Sequence, residues 1–156
     1  MTNDDDLDME LASGIAAFEA KNFTTAYRFL APFAEAGNPE AQYRMAIMAQ
    51  NGLGMVENEL LAYKYMKAAA EAMNQETAIR KAMTPRVLDD MGDRLAALAI
   101  GTGCGARFTG AGGGGCLWAI GEADAVAALK PIWEKVLAER PTAGLLDCRV
   151  DAEGVL

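Results

Sequence analysis

The chain has 156 residues, enough for one domain or two small ones, and its 52% hydrophobic and 23% charged residues are typical of a globular protein. Its net charge of −8 argues against nucleic acid and anionic membrane surfaces as partners, because like charges repel. No apolar run approaches the roughly 18 residues of a membrane-spanning helix, and the acidic first residues lack the features of a signal peptide.

The N-terminal half is predicted to be helical throughout. Apolar residues recur there every three or four positions, as they do on one face of a helix. The predicted helices cover about 7–18, 23–34, 40–50 and 59–72. Pro32 is expected to kink or end the second helix, because proline lacks a backbone N–H. Pro39, after Gly37 and Asn38, is expected near the first turn of the third helix.

This half also contains an internal repeat. Residues 22–36 shifted by 36 positions fall on 58–72, so that Asn22 meets Asn58 and Tyr27 meets Tyr63. A period of this size predicts paired helices stacked as in an α-solenoid, although such stacks usually need three or more units. Tyr27, Phe29, Tyr63 and Tyr65 are interpreted as core residues packed between helices, in preference to a stripe that binds a peptide.

The repeat unit resembles a known family. The segments G-N-P-E-A-Q-Y-R-M-A at 37–46 and N-G-L-G-M-V at 51–56 are similar to the Sel-one-like repeat, a relative of the tetratricopeptide repeat. That resemblance implies an adaptor surface, and therefore another protein as the partner of the helical repeats.

The C-terminal half is predicted to mix helices and strands. Residues 73–81 favour a helix, and a further helix is expected to start at Thr84–Pro85 and to end before Gly101–Gly103. Two strands flank a glycine run, a helix over 122–139 is divided by Pro131, and alternating apolar residues at 146, 148 and 150 predict a last strand. The predicted fold class is α+β: an N-terminal α/α helical repeat, residues 1–72, followed by a partial α+β sandwich with a small antiparallel sheet, residues 73–156.

The glycine run is the strongest candidate site. Five glycines occupy the six positions 110–115, and such a run costs stability unless positive φ or close backbone approach is needed. The dinucleotide fingerprint is rejected because a strand, not a helix, is expected after the glycines, and no Lys-Ser or Lys-Thr follows them as in a phosphate loop. A flexible hairpin turn and a binding loop both stay open at this point.

The stretch G-A-R-F-T-G-A-G-G-G-G-C-L-W-A at 105–119 resembles the C-terminal glycine motif of the GHMP kinases, the family of galactokinase, homoserine kinase and mevalonate kinase. The resemblance covers about half of the chain and implies ATP with magnesium as cofactor and a sugar or sugar phosphate as substrate. The ligand-binding residues that it implies are Thr109, Gly110, Ala111, Gly112, Gly113, Gly114 and Gly115.

Catalysis is not expected from this chain alone. In that family a glycine- and serine-rich loop of the N-terminal domain holds the ATP phosphates, and no Pro-x-Gly-x-Gly-Ser-Ser segment occurs in the sequence. The sequence therefore predicts a non-catalytic interaction module of helical repeats fused to a truncated kinase segment, with no catalytic residue. The alternative is the ATP or sugar-phosphate binding part of a GHMP-type kinase that is active only with a complementing N-terminal domain.

The remaining chemistry is sparse. The chain has no histidine, which removes the commonest general base and the commonest transition-metal ligand, and no metal site is predicted. Asp89, Asp90 and Asp93 are interpreted as a solvated helix face. The three cysteines show no metal-type spacing and predict reduced thiols and a cytoplasmic location. An incomplete sheet is expected to leave an unpaired edge, which predicts self-association.

Overall fold

The computed structural model describes residues 4–109, 115–146 and 148. Over these residues the chain is mostly helical with one small antiparallel sheet, and the predicted α+β class is confirmed. The elements in chain order are α1 (Asp4–Glu19), α2 (Phe23–Glu35), α3 (Pro39–Asn51), α4 (Glu59–Met83), α5 (Asp90–Gly101), β1 (Gly105–Phe108), β2 (Leu117–Ile120) and α6 (Ala123–Leu137).

The described residues divide into two compact units between Ala69 and Ala70, a point inside α4. We call residues 4–69 the N-terminal unit and the described residues from 70 to 148 the C-terminal unit. Each is treated by itself below.

Asparagines begin three of the helices in the N-terminal unit. The Oδ1 atom of Asn38 accepts a hydrogen bond from the Ala41 N–H at 3.0 Å, and that of Asn58 accepts from the Leu61 N–H at 3.0 Å. Asn22 caps α2 in the same way, more weakly, at 3.5 Å. Each cap satisfies a backbone donor that has no partner inside its helix. The shift of 36 positions that aligns residues 22–36 with residues 58–72 therefore also aligns the caps and the first residues of α2 and α4.

Small residues let the helices of the N-terminal unit approach closely. A Cβ atom added to Gly14 of α1 would lie 2.7 Å from Leu30 Cδ2 of α2, so no larger residue fits there without movement. The core consists of Ala26, Leu30, Ala34, Ala41, Met45, Ala46, Met48 and Tyr65. α2 runs through Pro32 to Glu35, so the proline does not end it. Pro32 and Arg28, whose carbonyl loses its helical donor, are both exposed, and water can satisfy that carbonyl.

The C-terminal unit is built around the β1–β2 hairpin. The strands pair antiparallel, with Gly105 opposite Ile120 and Phe108 opposite Leu117. Helices α5 and α6 supply most of the remaining core, and the Trp133 indole N–H donates to the Leu95 carbonyl at 2.9 Å. The buried residues are Val87, Leu88, Met91, Leu95, Ala96, Ala99, Cys104, Ala106, Phe108, Leu129, Trp133 and Val136.

Two predicted helix boundaries in this half are wrong. Residues 73–81 continue α4, which ends at Met83, and Thr84–Pro85 forms the turn after that helix. α5 starts at Asp90 because the Asp89 carboxylate accepts from the Gly92 N–H at 2.7 Å and caps the helix. Val87 is buried, as its apolar character predicts, but it lies in the turn.

The predictions for the last helix and strand also need correction. α6 passes through Pro131 without interruption, because Pro131 and Ala127, the residue whose carbonyl loses a donor, are exposed to water. Val126 of α6 is exposed, although it is apolar. The predicted strand at 146–150 falls partly outside the described residues, and Leu146 and Cys148, which are described, are not in a strand.

Candidate functional site

The predicted glycine site lies mostly outside the described residues, which include only Thr109 and Gly115 of the seven. Both are exposed. The expected strand on each side is confirmed, and the hairpin closes at Thr109 and Cys116, where the Thr109 N–H and hydroxyl donate to the Cys116 carbonyl at 3.0 and 3.1 Å. Six residues, 110–115, therefore lie between the two residues that close the hairpin. A tight hairpin turn has only two residues in this place.

Two cations beside this hairpin already interact with the protein. Arg107 of β1 lies 3.5 Å from a Glu76 carboxylate oxygen, and the Arg80 guanidinium lies 4.2 Å from the centre of the Phe108 ring. These contacts partly fix the positions of both side chains beside the hairpin. An anion bound beside β1 would have to compete with Glu76 for Arg107.

Side chains of α4 hold the outer edge of β1. The Asn74 amide nitrogen donates to the Cys104 carbonyl at 3.1 Å, while its oxygen accepts from the Ala106 N–H at 3.0 Å. The Thr77 hydroxyl donates to the Ala106 carbonyl at 2.7 Å. The sequence predicted an unpaired sheet edge, but at Ala106 both backbone groups have partners. The self-association expected from such an edge stays a prediction.

A second candidate site is formed by exposed residues of the N-terminal unit. Tyr27 and Tyr63 are 41% and 47% exposed, so their interpretation as core residues is wrong. The interpretation holds for Tyr65, which is 5% exposed, whereas Phe29 is half-buried. The buried stripe of α2 is taken by Ala26, Leu30 and Ala34, and Tyr27 points about 100° away from Ala26 around the helix.

Each exposed tyrosine is followed by a cation that lies over the next aromatic ring. The Arg28 guanidinium lies 5.2 Å from the centre of the Phe29 ring, and the Lys64 ammonium lies 5.9 Å from that of Tyr65. These two pairs are equivalent under the shift of 36 positions, so the repeat extends to side-chain geometry. Cation–π contacts of this kind contribute about 0.5–1 kcal/mol at exposed sites.

We call this surface the tyrosine–cation face. Leu60 and Lys67 extend it along α4, since they lie three residues before and four residues after Tyr63, and Leu60 is 79% exposed. Burial raises the pKa of Tyr65, and the nearby Glu35 carboxylate raises it further. Tyr65 of α4 belongs to the same core as Ala26 and Leu30 of α2. The face consists of Tyr27, Arg28, Leu60, Tyr63, Lys64 and Lys67.

Among the described residues, no three His, Cys, Asp or Glu side chains are grouped so that they could hold a metal ion. In the same part of the chain, no helix is both long and apolar enough to cross a bilayer. Asp89 and Asp93, expected on a solvated face, form ion pairs with Arg140 and Lys81 at 2.9 and 2.6 Å.

Comparison of the chain with known protein families, with curated proteins and with solved structures gives no match.

Proposed function

We propose that this chain is a non-catalytic interaction module, and that the tyrosine–cation face is the surface to which a partner protein binds. The observation that carries the proposal is the repetition of exposed residues. Packing explains why Ala26 and Ala62 are alike, because both are buried. It does not explain why Tyr27 and Tyr63 are alike, because both are exposed and neither supports the core.

The chemistry of the face suits protein recognition. Tyrosine and arginine are enriched at interfaces, since each combines a large apolar surface with hydrogen-bonding groups. Arg28 and Lys64 are held over aromatic rings, and so they lose less side-chain freedom on binding than free cations would. A cytoplasmic location is part of the proposal, because the three thiols, Cys104, Cys116 and Cys148, form no disulfide.

Site-specific photo-crosslinking in cells that make the protein tests this function. A photoreactive phenylalanine analogue would replace Tyr27 or Tyr63, and Val126, exposed on α6, would serve as the matched control. We expect the same crosslinked protein from both tyrosine positions and none from the control. The product should disappear when Arg28 and Lys64 are changed to alanine. Identical products from all three positions would contradict the proposal.

The second candidate function is phosphate binding by the glycine segment, in a GHMP-type kinase that another chain completes. It is favoured by the closure of the hairpin at Thr109 and Cys116, which leaves six residues between the closing pair. Backbone N–H groups of a glycine-rich loop can form a concave site for an anion. Arg107 is the nearest cation on β1, although Glu76 lies within ion-pair distance of it.

A thermal-shift titration with Mg-ATP, ADP, sugars and sugar phosphates tests this second function. We expect a saturable rise in Tm with the correct ligand, because a ligand that binds only the folded state stabilises it by mass action. Replacing Gly113 and Gly114 by alanine should abolish the rise. If that variant changes the Tm without ligand and no compound shifts either protein, the segment acts only as a hairpin turn.

A further inference from the structure

The first two turns of α1 form an unpacked acidic arm. Residues 4–10 are all exposed, whereas the rest of the helix packs through Leu11, Gly14, Ile15 and Phe18. The arm carries five carboxylates and two apolar side chains. These are Asp4, Asp5, Asp6, Asp8 and Glu10, with Leu7 and Met9 among them.

The tyrosine–cation face has the opposite chemistry. Arg28, Lys64 and Lys67 are exposed, and within residues 4–109, 115–146 and 148 no carboxylate lies within ion-pair distance of any of them. Other cations of the chain are paired, as Arg44 is with a Glu40 oxygen at 2.6 Å, and it is the grouping of three cations with exposed aromatic and apolar side chains that distinguishes this face. The apolar part of the face is provided by Tyr27, Leu60 and Tyr63.

We propose that the acidic arm of one copy of this chain docks on the tyrosine–cation face of a second copy. The inference rests on the proposed function, because it names a partner for the same face. Carboxylates of the arm pair with Arg28, Lys64 and Lys67, while Met9, the more exposed of the two apolar side chains, packs on the tyrosine rings. Contacts of methionine sulfur with aromatic rings are favourable. Complementary charge at an interface selects the partner and its orientation.

A second copy is favoured as the occupant because one chain carries both halves of the contact. The two halves do not satisfy each other within a copy, since no ion pair joins the arm to the face among the described residues. The contact joins different surfaces of the two copies. It gives a closed dimer if it is reciprocal and an open chain if it is not.

Charge exchange tests this contact more sharply than salt does. Each copy has a net charge of −8, so salt weakens the overall repulsion between copies together with the local attraction. The first variant is Arg28→Glu/Lys64→Glu on the face, and the second is Asp8→Lys/Glu10→Lys on the arm. The second variant lowers the net negative charge and would favour association if only overall repulsion mattered.

Sedimentation equilibrium of the full chain from micromolar to millimolar concentration gives the measurement. We expect the unchanged chain to associate, and each variant alone to have a dissociation constant raised at least about tenfold. An equimolar mixture of the two variants should associate again, because each then provides what the other lacks. The control Arg86→Glu/Lys135→Glu makes the same change in overall charge at exposed residues outside the face, and it should raise the dissociation constant much less than the face variant does.

Three results would overturn the inference: a chain that stays monomeric at millimolar concentration, association that neither variant weakens, or a mixture that fails to recover association. Circular dichroism should show equal helicity for all variants, because every changed residue is exposed. These results leave the proposed function standing if crosslinks from Tyr27 and Tyr63 reach another protein. If association follows the charges but no other protein is crosslinked, the second copy is the partner of the face.

Discussion

Asn74 takes the place of a neighbouring strand for Ala106. Its side-chain oxygen accepts from the Ala106 N–H at 3.0 Å, and its amide nitrogen donates to the Cys104 carbonyl at 3.1 Å. Backbone groups at a sheet edge otherwise need water or another strand. A helix residue some thirty positions earlier in the chain therefore determines where β1 lies, and with it the base of the glycine segment.

Removing this side chain should destabilise the C-terminal unit. We expect Asn74→Ala to lower the free energy of unfolding by about 1–3 kcal/mol, because the Ala106 N–H and the Cys104 carbonyl lose their partner. Asn74→Asp keeps the acceptor but loses the donor, so its free energy of unfolding should lie between those of the unchanged chain and of Asn74→Ala. Urea unfolding followed by circular dichroism measures the difference. Equal midpoints for the alanine variant and the unchanged chain would show that the contact contributes nothing.

Gly105 should tolerate no side chain. A Cβ atom there would clash with the Ala70 carbonyl oxygen and would lie 2.7 Å from the Ala70 Cα, and the backbone cannot move aside at little cost. We expect Gly105→Ala to cost at least about 1–3 kcal/mol of stability. Gly101, at the end of α5, has no neighbour within 4 Å of the added atom, and Gly101→Ala should be neutral or stabilising. Thermal unfolding of the two variants side by side decides this, and similar Tm values would contradict it.

Replacing Lys21 by glycine should stabilise the chain. Lys21 has a φ of 62°, a left-handed conformation that is strained for a residue with a side chain, and it sits where the Asn22 N–H donates back to the Ala17 carbonyl and ends α1. Gly37 ends α2 in the same way with a φ of 97°. We expect Lys21→Gly to stabilise the chain by about 0.5–1 kcal/mol and Gly37→Ala to destabilise it by a similar amount.

Chemical denaturation of both variants provides the check. Nothing lies within 4 Å of a Cβ added to Gly37, so its loss of stability would come from the backbone alone. A destabilised Lys21→Gly variant would mean that the lysine side chain contributes more than its strained backbone costs.

Asp89 should make stability depend on acid pH. The Gly92 N–H first, and then the Arg140 guanidinium, hold the pKa of this carboxyl below its ordinary value. A carboxyl with a lowered pKa stabilises the folded state above its unfolded pKa of about 4, and this contribution is lost as the pH falls through the lower, folded pKa. The stabilisation is therefore complete at neutral pH and disappears in acid.

The variant Asp89→Asn isolates the charge, because asparagine also caps helices well. We expect it to be less stable than the unchanged chain at neutral pH, and the difference to shrink as the pH falls below about 4 and to vanish below the folded pKa. Arg140→Gln should remove part of the same pH dependence. Unfolding measured from neutral to acid pH gives the comparison, and a difference that does not change with pH would contradict the assignment.

Much of the N-terminal unit could be predicted from the sequence because its determinants are local. Helix starts depend on residues three apart, as at Asn38 and Ala41, and the apolar period of each helix is visible in any short window. The strands on either side of the glycine run follow from residue type in the same way. The repeat of 36 positions could be read directly because it is a property of the sequence itself.

What the sequence alone determined is thus most of the helical segments, the hairpin and the repeat, while the tertiary structure decided where some helices begin and end and which of these residues meet. Pro131 looked like a break, but α6 continues because the affected carbonyl faces water. Tyr27 looked like a core residue, but Ala26 and Leu30 had already filled the buried stripe. The hydrogen bond that the Thr77 hydroxyl donates to the Ala106 carbonyl joins residues 29 positions apart. No pattern in the neighbouring residues encodes such a contact, since it depends on how whole elements pack.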